Sequence, residues 1–155
     1  MALQNSLTLF PLLVLVLLVL GWVQPSLGKE SKASRFQRQH MDPGKTSLGN
    51  SNYCNLMMRR RSLIRRHCKA VNIFIHEPLA KIQAVCRQGG ISCKNKKNKC
   101  HQSSSSMSIT TCSLFRHSRY PKCIYKTTRK ERHIIVGCEG TSSVPIHLDG
   151  TVNFS

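Results

Sequence analysis

From Leu7 to Val23 the chain is almost wholly apolar, and no later stretch repeats that character. Beyond it, hydrophobic positions recur at short intervals separated by polar and basic residues. Between Ser31 and Met41, Ala33, Phe36 and His40 fall at i, i+3, i+7 spacing, which predicts a short helix with Ser31 as its cap. Phe36 then anchors that face to the core and holds His40 toward a cleft. Asp42-Pro43-Gly44 breaks the helix, and a polar stretch rich in Gly, Ser and Asn runs on to Asn52 as an exposed, hinge-like loop. A second helix is predicted from Asn52 to Arg61, with Met57 and Met58 inward and the arginines outward.

The segment from Cys68 to His76 carries β-branched and aromatic residues and reads as a strand. Pro78, as the first helical residue, opens a third helix to about Arg87, with Leu79, Ile82 and Val85 as its apolar stripe. After Gly89-Gly90 only short strands are predicted, around Ile91–Cys93, Met107–Leu114, Cys123–Thr127, His133–Glu139 and Val144–Leu148. Helices first and antiparallel strands later argue for an α+β domain, without internal repeats.

The leading apolar run ends in Ser26-Leu27-Gly28, the small-x-small pattern that signal peptidase reads. It falls short of the ~20 apolar residues a spanning helix needs, and Pro11 interrupts it. A secretory signal peptide over residues 1–28 is therefore expected, with 29–155 as a single secreted domain. The absence of Lys or Arg before the apolar run is a departure from the usual signal.

Charge narrows the partners. The first 28 residues hold no Asp, Glu, Lys or Arg, so the remainder carries all 24 basic and 6 acidic residues and the full formal charge of +18. Such an imbalance opposes compaction and favours polyanions: RNA, DNA, heparan chains or anionic membranes. Secretion makes the eight cysteines, Cys54, Cys68, Cys86, Cys93, Cys100, Cys112, Cys123 and Cys138, a disulfide framework. No CxxC or HExxH pattern occurs, so neither a metal nor another cofactor is expected. Eight cysteines allow 105 pairings, and their positions alone choose none of them.

Candidate chemistry lies in three separated motifs: Gln39-His40-Met41, Cys68-Lys69-Ala70-Val71-Asn72-Ile73-Phe74, and Val144-Pro145-Ile146-His147-Leu148-Asp149. RNA carries its own nucleophile, the 2′-hydroxyl beside each phosphate. Cleavage needs a base for that proton, an acid for the 5′-oxygen and a cation for the charge growing on the phosphoryl oxygens. Histidine populates both protonation states near neutral pH, and lysine supplies a point charge. Any one of the seven histidines is more often structural or solvent-exposed than catalytic. His67, His101, His117 and His133 are expected at the surface.

Over everything after residue 28 the chain resembles the pancreatic ribonuclease (ribonuclease A) superfamily, through these motifs and the cysteine spacing. The resemblance implies three short helices on a bent antiparallel sheet, with disulfides Cys54–Cys112, Cys68–Cys123, Cys86–Cys138 and Cys93–Cys100. It implies His40 as base, His147 as acid and Lys69 as transition-state stabiliser. Gln39 and the Leu148 backbone N–H would contact the phosphate, and Asp149 would orient His147. Arg35, Arg38 and Lys94 match flanking phosphate subsites, Asn72 and Ile73 belong to the substrate-binding set, and His76 is structural. Single-stranded RNA is the implied partner, the leucine-rich cytosolic ribonuclease inhibitor another, and a monomer the implied state.

The departures from the family pattern bear on base choice. The family has Thr, whose hydroxyl tells pyrimidine from purine, where Ile73 stands. Thr111 replaces an Asp that assists that Thr in many relatives, and Leu148 replaces the usual Phe. Lys97 and Lys99 stand where relatives often carry Gln and Asn, while Glu139 is retained. Weakened or redistributed base preference and lower turnover on pyrimidine substrates follow. The clusters Arg59-Arg60-Arg61, Arg65-Arg66, Lys94–Lys99 and Lys126–Arg132 exceed what phosphate tracking needs. A cationic host-defence or anionic-surface-binding protein with weak ribonuclease activity is thus the second reading. A disulfide-rich growth-factor-like ligand ranks behind both. One glycosylation sequon, Asn153-Phe154-Ser155, lies at the extreme C-terminus, where little modification is expected.

Overall fold

The computed structural model of the protein describes residues 28–44, 51–141 and 143–154. The expected leader, but for Gly28, lies outside the described residues, as do 45–50 of the expected loop. Among the described residues no helix is long and apolar enough to cross a membrane. The chain divides into Met1–Ser31 and Lys32–Ser155, and the second unit carries the α+β fold described below.

Its three helices are α1 (Lys32–His40), α2 (Tyr53–Arg60) and α3 (Leu79–Val85). The apolar spacing of α1 does what the pattern requires: Phe36 is buried, and the rest of the helix is exposed or half-buried. In α2, Tyr53, Cys54, Met57 and Met58 are buried while Arg59 and Arg60 face solvent. Pro78 is the residue before the first turn of α3, its ψ of 147° still extended, so the helix begins one position later than the sequence suggests.

The strands are β1 (Ile64–Arg65), β2 (His67–Cys68), β3 (Val71–Ile75), β4 (Gly89–Ser92), β5 (Lys99–Gln102), β6 (Met107–Leu114), β7 (Tyr125–Cys138) and β8 (Pro145–Val152). β1 and β2 form a separate tight hairpin. The other six make one antiparallel sheet in the order β3-β6-β7-β5-β4, with β8 also pairing β7. The long β7 holds the sheet together. Its first half pairs β6 from Tyr125 to Arg132, and its second half pairs both β5 and β8. Register shifts between Ile135 and Val136, and again between Gly137 and Cys138, interrupt the ladder with β8.

Successive strand residues point to opposite faces, and β3 uses this to serve two cores. Ile75 belongs to a cluster with Phe36, Ile82, Ile109, Ile134 and Val136. Its neighbour Phe74 belongs to another, with Tyr53, Met57, Met58, Cys112 and Tyr125. The four disulfides join Cys54–Cys112, Cys68–Cys123, Cys86–Cys138 and Cys93–Cys100. Three of them close loops of more than 50 residues, which restricts the unfolded chain most.

His76 is buried, with Nδ1 2.9 Å from the Asp42 carbonyl and Nε2 2.6 Å from Thr110 Oγ1. Tyr53 donates its hydroxyl to Asp42 Oδ2 at 2.5 Å, and burial pushes that phenol well above its ordinary pKa. This network fixes the chain as it leaves α1. Two histidines expected at the surface are only partly exposed. His101 and His133 are half-buried, each with Nδ1 about one hydrogen bond from a backbone carbonyl, of Gln88 at 3.0 Å and Ser103 at 2.9 Å.

Candidate active site

The end of α1, the strand β3 and the strand β8 meet around a cleft of about 510 Å³. His40, Lys69 and His147 all line it, although the sequence separates them widely. Arg35, Gln39, Asn72, Ile73, Lys94, Leu148 and Asp149 also face it. Arg38 does not. Its guanidinium donates to the Arg61 carbonyl at 2.6 Å and borders a different depression, with Gln37 and Pro43. Arg61 returns the contact, donating to the Arg38 carbonyl at 3.0 Å, so the two cations clamp the end of α1 to the end of α2.

Each imidazole is held by one nitrogen, leaving the other for chemistry. His40 Nδ1 lies 2.8 Å from the carbonyl of Ile73. A carbonyl only accepts, so Nδ1 carries the hydrogen and, in the neutral ring, Nε2 keeps the lone pair. The ring packs against Phe36, with centroids 5.4 Å apart, as the helical spacing requires. Burial lowers the His40 pKa to about 4, and the charges of Lys69 and His147 push the same way against the Ile73 bond. At neutral pH this imidazole is therefore an unprotonated base.

His147 is oriented differently. Its Nε2 lies 3.1 Å from Asp149 Oδ1, and its side chain is 57% exposed. The other oxygen of Asp149 accepts the Lys94 backbone N–H at 3.0 Å, so the carboxylate is itself tethered. The ring is thereby fixed with Nδ1 as its free nitrogen. The Lys94 ammonium lies over the neighbouring backbone, where a Cβ on Gly150 would stand 3.2 Å from Nζ.

Lys69 Nζ donates to Asn72 Oδ1 at 2.9 Å, and Asn72 Nδ2 donates to the Gln39 carbonyl at 2.8 Å. Asn72 is 2% exposed and its amide is engaged on both sides, so it ties the ammonium to α1. Partial burial lowers the Lys69 pKa, and Arg38 adds to the effect. A poorly hydrated ammonium of this kind acts more strongly on a nearby anion than one in bulk water.

Ile73 sits directly opposite Thr111 in the pairing of β3 with β6. Two of the positions that depart from the pattern of the family the sequence resembles are thus neighbours. Val71, Ile146 and Gly150 also line the cleft and were not among the expected residues. Val71, 52% exposed and two residues from Ile73 on the same strand face, was detectable from strand alternation. Among the described residues, Cys93, Cys100 and Asp149 bring three ligand-type atoms within 4.8 Å of one another. The two sulfurs are joined as a disulfide, which removes the thiolates a metal would need.

A family model described as pancreatic ribonuclease matches residues 31–149. Three curated relatives carry the name "Ribonuclease pancreatic". That of Lemur catta is 58% identical over 155 residues, covering 100% of this chain and 99% of the relative. That of Lagothrix lagotricha is 60% identical over the same span, with the same coverage. That of Mus musculus is 56% identical over 152 residues, covering 98% of this chain and all of the relative. On this similarity along its whole length, the chain belongs to the pancreatic ribonuclease family.

Proposed function

We propose that the protein is a secreted, metal-independent endoribonuclease that cleaves single-stranded RNA through a 2′,3′-cyclic phosphate. The supporting observation is a single cleft lined by two imidazoles, each tethered through a different nitrogen, together with a half-buried ammonium. His40 Nε2 takes the proton from the 2′-hydroxyl as that oxygen attacks phosphorus. The bond from phosphorus to the 5′-oxygen breaks, and His147 Nδ1 gives its proton to the departing oxygen. Lys69 meets the charge that grows on a non-bridging oxygen. The products are a cyclic phosphate and a free 5′-hydroxyl. With the two histidines exchanging roles, water then opens the cyclic ester.

Gln39 and the Leu148 backbone N–H contact the phosphate in this reading, and Arg35 and Lys94 hold neighbouring phosphates. Arg38 contributes its field, since its guanidinium is committed to Arg61. Asn72 acts as a positioning residue for Lys69. Residues 1–28 direct secretion and are removed, the mature domain acts as a monomer, and the leucine-rich cytosolic ribonuclease inhibitor is a partner. The test is cleavage of single-stranded RNA in EDTA by the correctly oxidised protein. The expected result is full activity with a cyclic phosphate terminus; loss of activity with the chelator, or a 5′-phosphate product, rejects the mechanism.

Cleavage falls on the 3′ side of pyrimidines with weakened base preference, because Ile73 presents a methyl surface where a hydroxyl would pair with the base edge. Ile73→Thr is expected to restore discrimination by ~1–3 kcal/mol, about 5–150-fold in the ratio of pyrimidine to purine cleavage. Competing dinucleotide substrates measure this ratio, and an unchanged ratio would remove residue 73 from base recognition.

The charge of +18 favours a second reading, a cationic host-defence protein that binds anionic surfaces on the same scaffold with weak ribonuclease activity. Membrane disruption or bacterial killing that survives His147→Ala separates it from the first.

A further inference from the structure

Away from the cleft, the connection between β6 and β7 exposes large apolar side chains among cations. Phe115 is 50% exposed, Tyr120 50% and Ile124 43%. Arg116, Arg119 and Lys122 alternate with them and are also exposed. A soluble enzyme has no need of three such side chains in ten residues, and clustered apolar exposure marks an interaction surface.

The loop is held rigidly. Phe115 N–H donates to the Ile124 carbonyl at 2.9 Å, which sets these two residues side by side. Ser118 Oγ reaches the carbonyls of both, and Lys122 N–H donates to Arg119 at 2.8 Å, closing the tip around Tyr120. The disulfide Cys68–Cys123 fastens the loop to the β1–β2 hairpin, with Cα atoms 5.6 Å apart. At the tip of that hairpin Arg66 takes a left-handed conformation, φ 61°, and presents Arg65, Arg66 and His67 to solvent.

Along the sequence no acidic residue stands near this charge. The sequence has no Asp or Glu in 43–76 or 78–130. Glu131 is six residues along β7 from Tyr125, about 20 Å from the loop at strand rise.

We propose that this loop docks the protein on anionic phospholipid surfaces, with Phe115, Tyr120 and Ile124 entering the headgroup layer while Arg116, Arg119 and Lys122 meet lipid phosphates. The inference rests on the surface-binding reading above and assigns it a face and a lipid chemistry. Apolar insertion flanked by basic residues is what interfacial binding requires. Lipid fits better than RNA because Ile124, joined to Phe115 by a backbone hydrogen bond, has no π-face on which a base could stack.

The test is sedimentation of the oxidised full-length mature protein with vesicles of phosphatidylcholine alone or mixed with phosphatidylserine. Binding is expected only to the anionic vesicles. The double variant Phe115→Ser/Ile124→Ser should bind about tenfold or more weakly, and Arg116→Ser/Arg119→Ser should lose roughly fivefold per charge. Unchanged dinucleotide cleavage shows that a variant is folded. If the double variant loses it, the two single variants decide, each expected to weaken binding about threefold or more. Equal sedimentation of the wild-type protein with both vesicle types overturns both the inference and the surface-binding reading. Binding that is selective but unchanged in the apolar variants overturns the inference alone. Loss of binding to single-stranded RNA with vesicle binding intact assigns the face to RNA and likewise overturns it.

Discussion

Replacing His147 by alanine is expected to lower kcat/KM on RNA by about 10²–10⁴-fold, the usual contribution of one proton-transferring group. His40→Ala should fall in the same range. The two variants separate chemistry from folding. The His147 side chain is 57% exposed and, among the described residues, bonds to Asp149 alone, so its removal leaves the core intact and the melting temperature close to wild type. His40 packs against Phe36 and bonds to the Ile73 carbonyl, so its loss also loosens the junction between α1 and β3. A loss of activity without a loss of stability at His147 therefore isolates the acid role. The double variant should be little worse than either single one, because the two groups act in one step.

The second large effect belongs to Lys69. Lys69→Ala is expected to reduce kcat by about 10²–10³-fold, equivalent to ~2.7–4 kcal/mol of transition-state stabilisation. Its ammonium is half-buried and steered by Asn72, whose other end is fixed to Gln39. In the proposed role this ammonium stabilises the transition state, where the phosphoryl oxygens gain charge, more than the ground state. The change should accordingly appear in kcat more than in KM. A raised KM with kcat unchanged would make Lys69 a simple phosphate anchor.

Much of this was legible in the chain before its fold was known. The strand Met107–Leu114 has the expected bounds, because its alternation of buried and half-buried positions is dense in β-branched residues. Phe36 and His40 share a face of α1 for the reason that helical spacing gives. Elsewhere tertiary pairing overrode the local signal. The strand Lys99–Gln102 has no apolar alternation, and backbone bonds to β4 and β7 supply what side chains do not. Gly89 and Gly90 read as a break yet lie in β4, an exposed edge strand where no side chain has to pack. The charged run Arg129–Arg132 made β7 look like two strands, whereas the ladder to β6 continues through it with Arg129, Lys130 and Glu131 exposed and Arg132 half-buried.

The site shows the same division. That His40, Lys69 and His147 share one cleft was expected because each stands in a motif of its own. The destination of Arg38 was not readable, since its partner is a carbonyl 23 residues away that only the packing of α1 against α2 brings within reach. The neighbouring placement of Ile73 and Thr111, which the resemblance already implied, is set by strand register.

The pH dependence of kcat/KM on a defined dinucleotide, for the wild type and the two single histidine variants, tests the paired-imidazole mechanism most directly. The account predicts a bell. Its acidic limb should lie below the ordinary imidazole value of ~6.5, since burial holds His40 near 4 in the free enzyme, so that activity is lost only as pH falls through that lowered value. His40→Ala should abolish the acidic limb and His147→Ala the alkaline one. Identical profiles in all three proteins, or a bell that survives both substitutions, would contradict it.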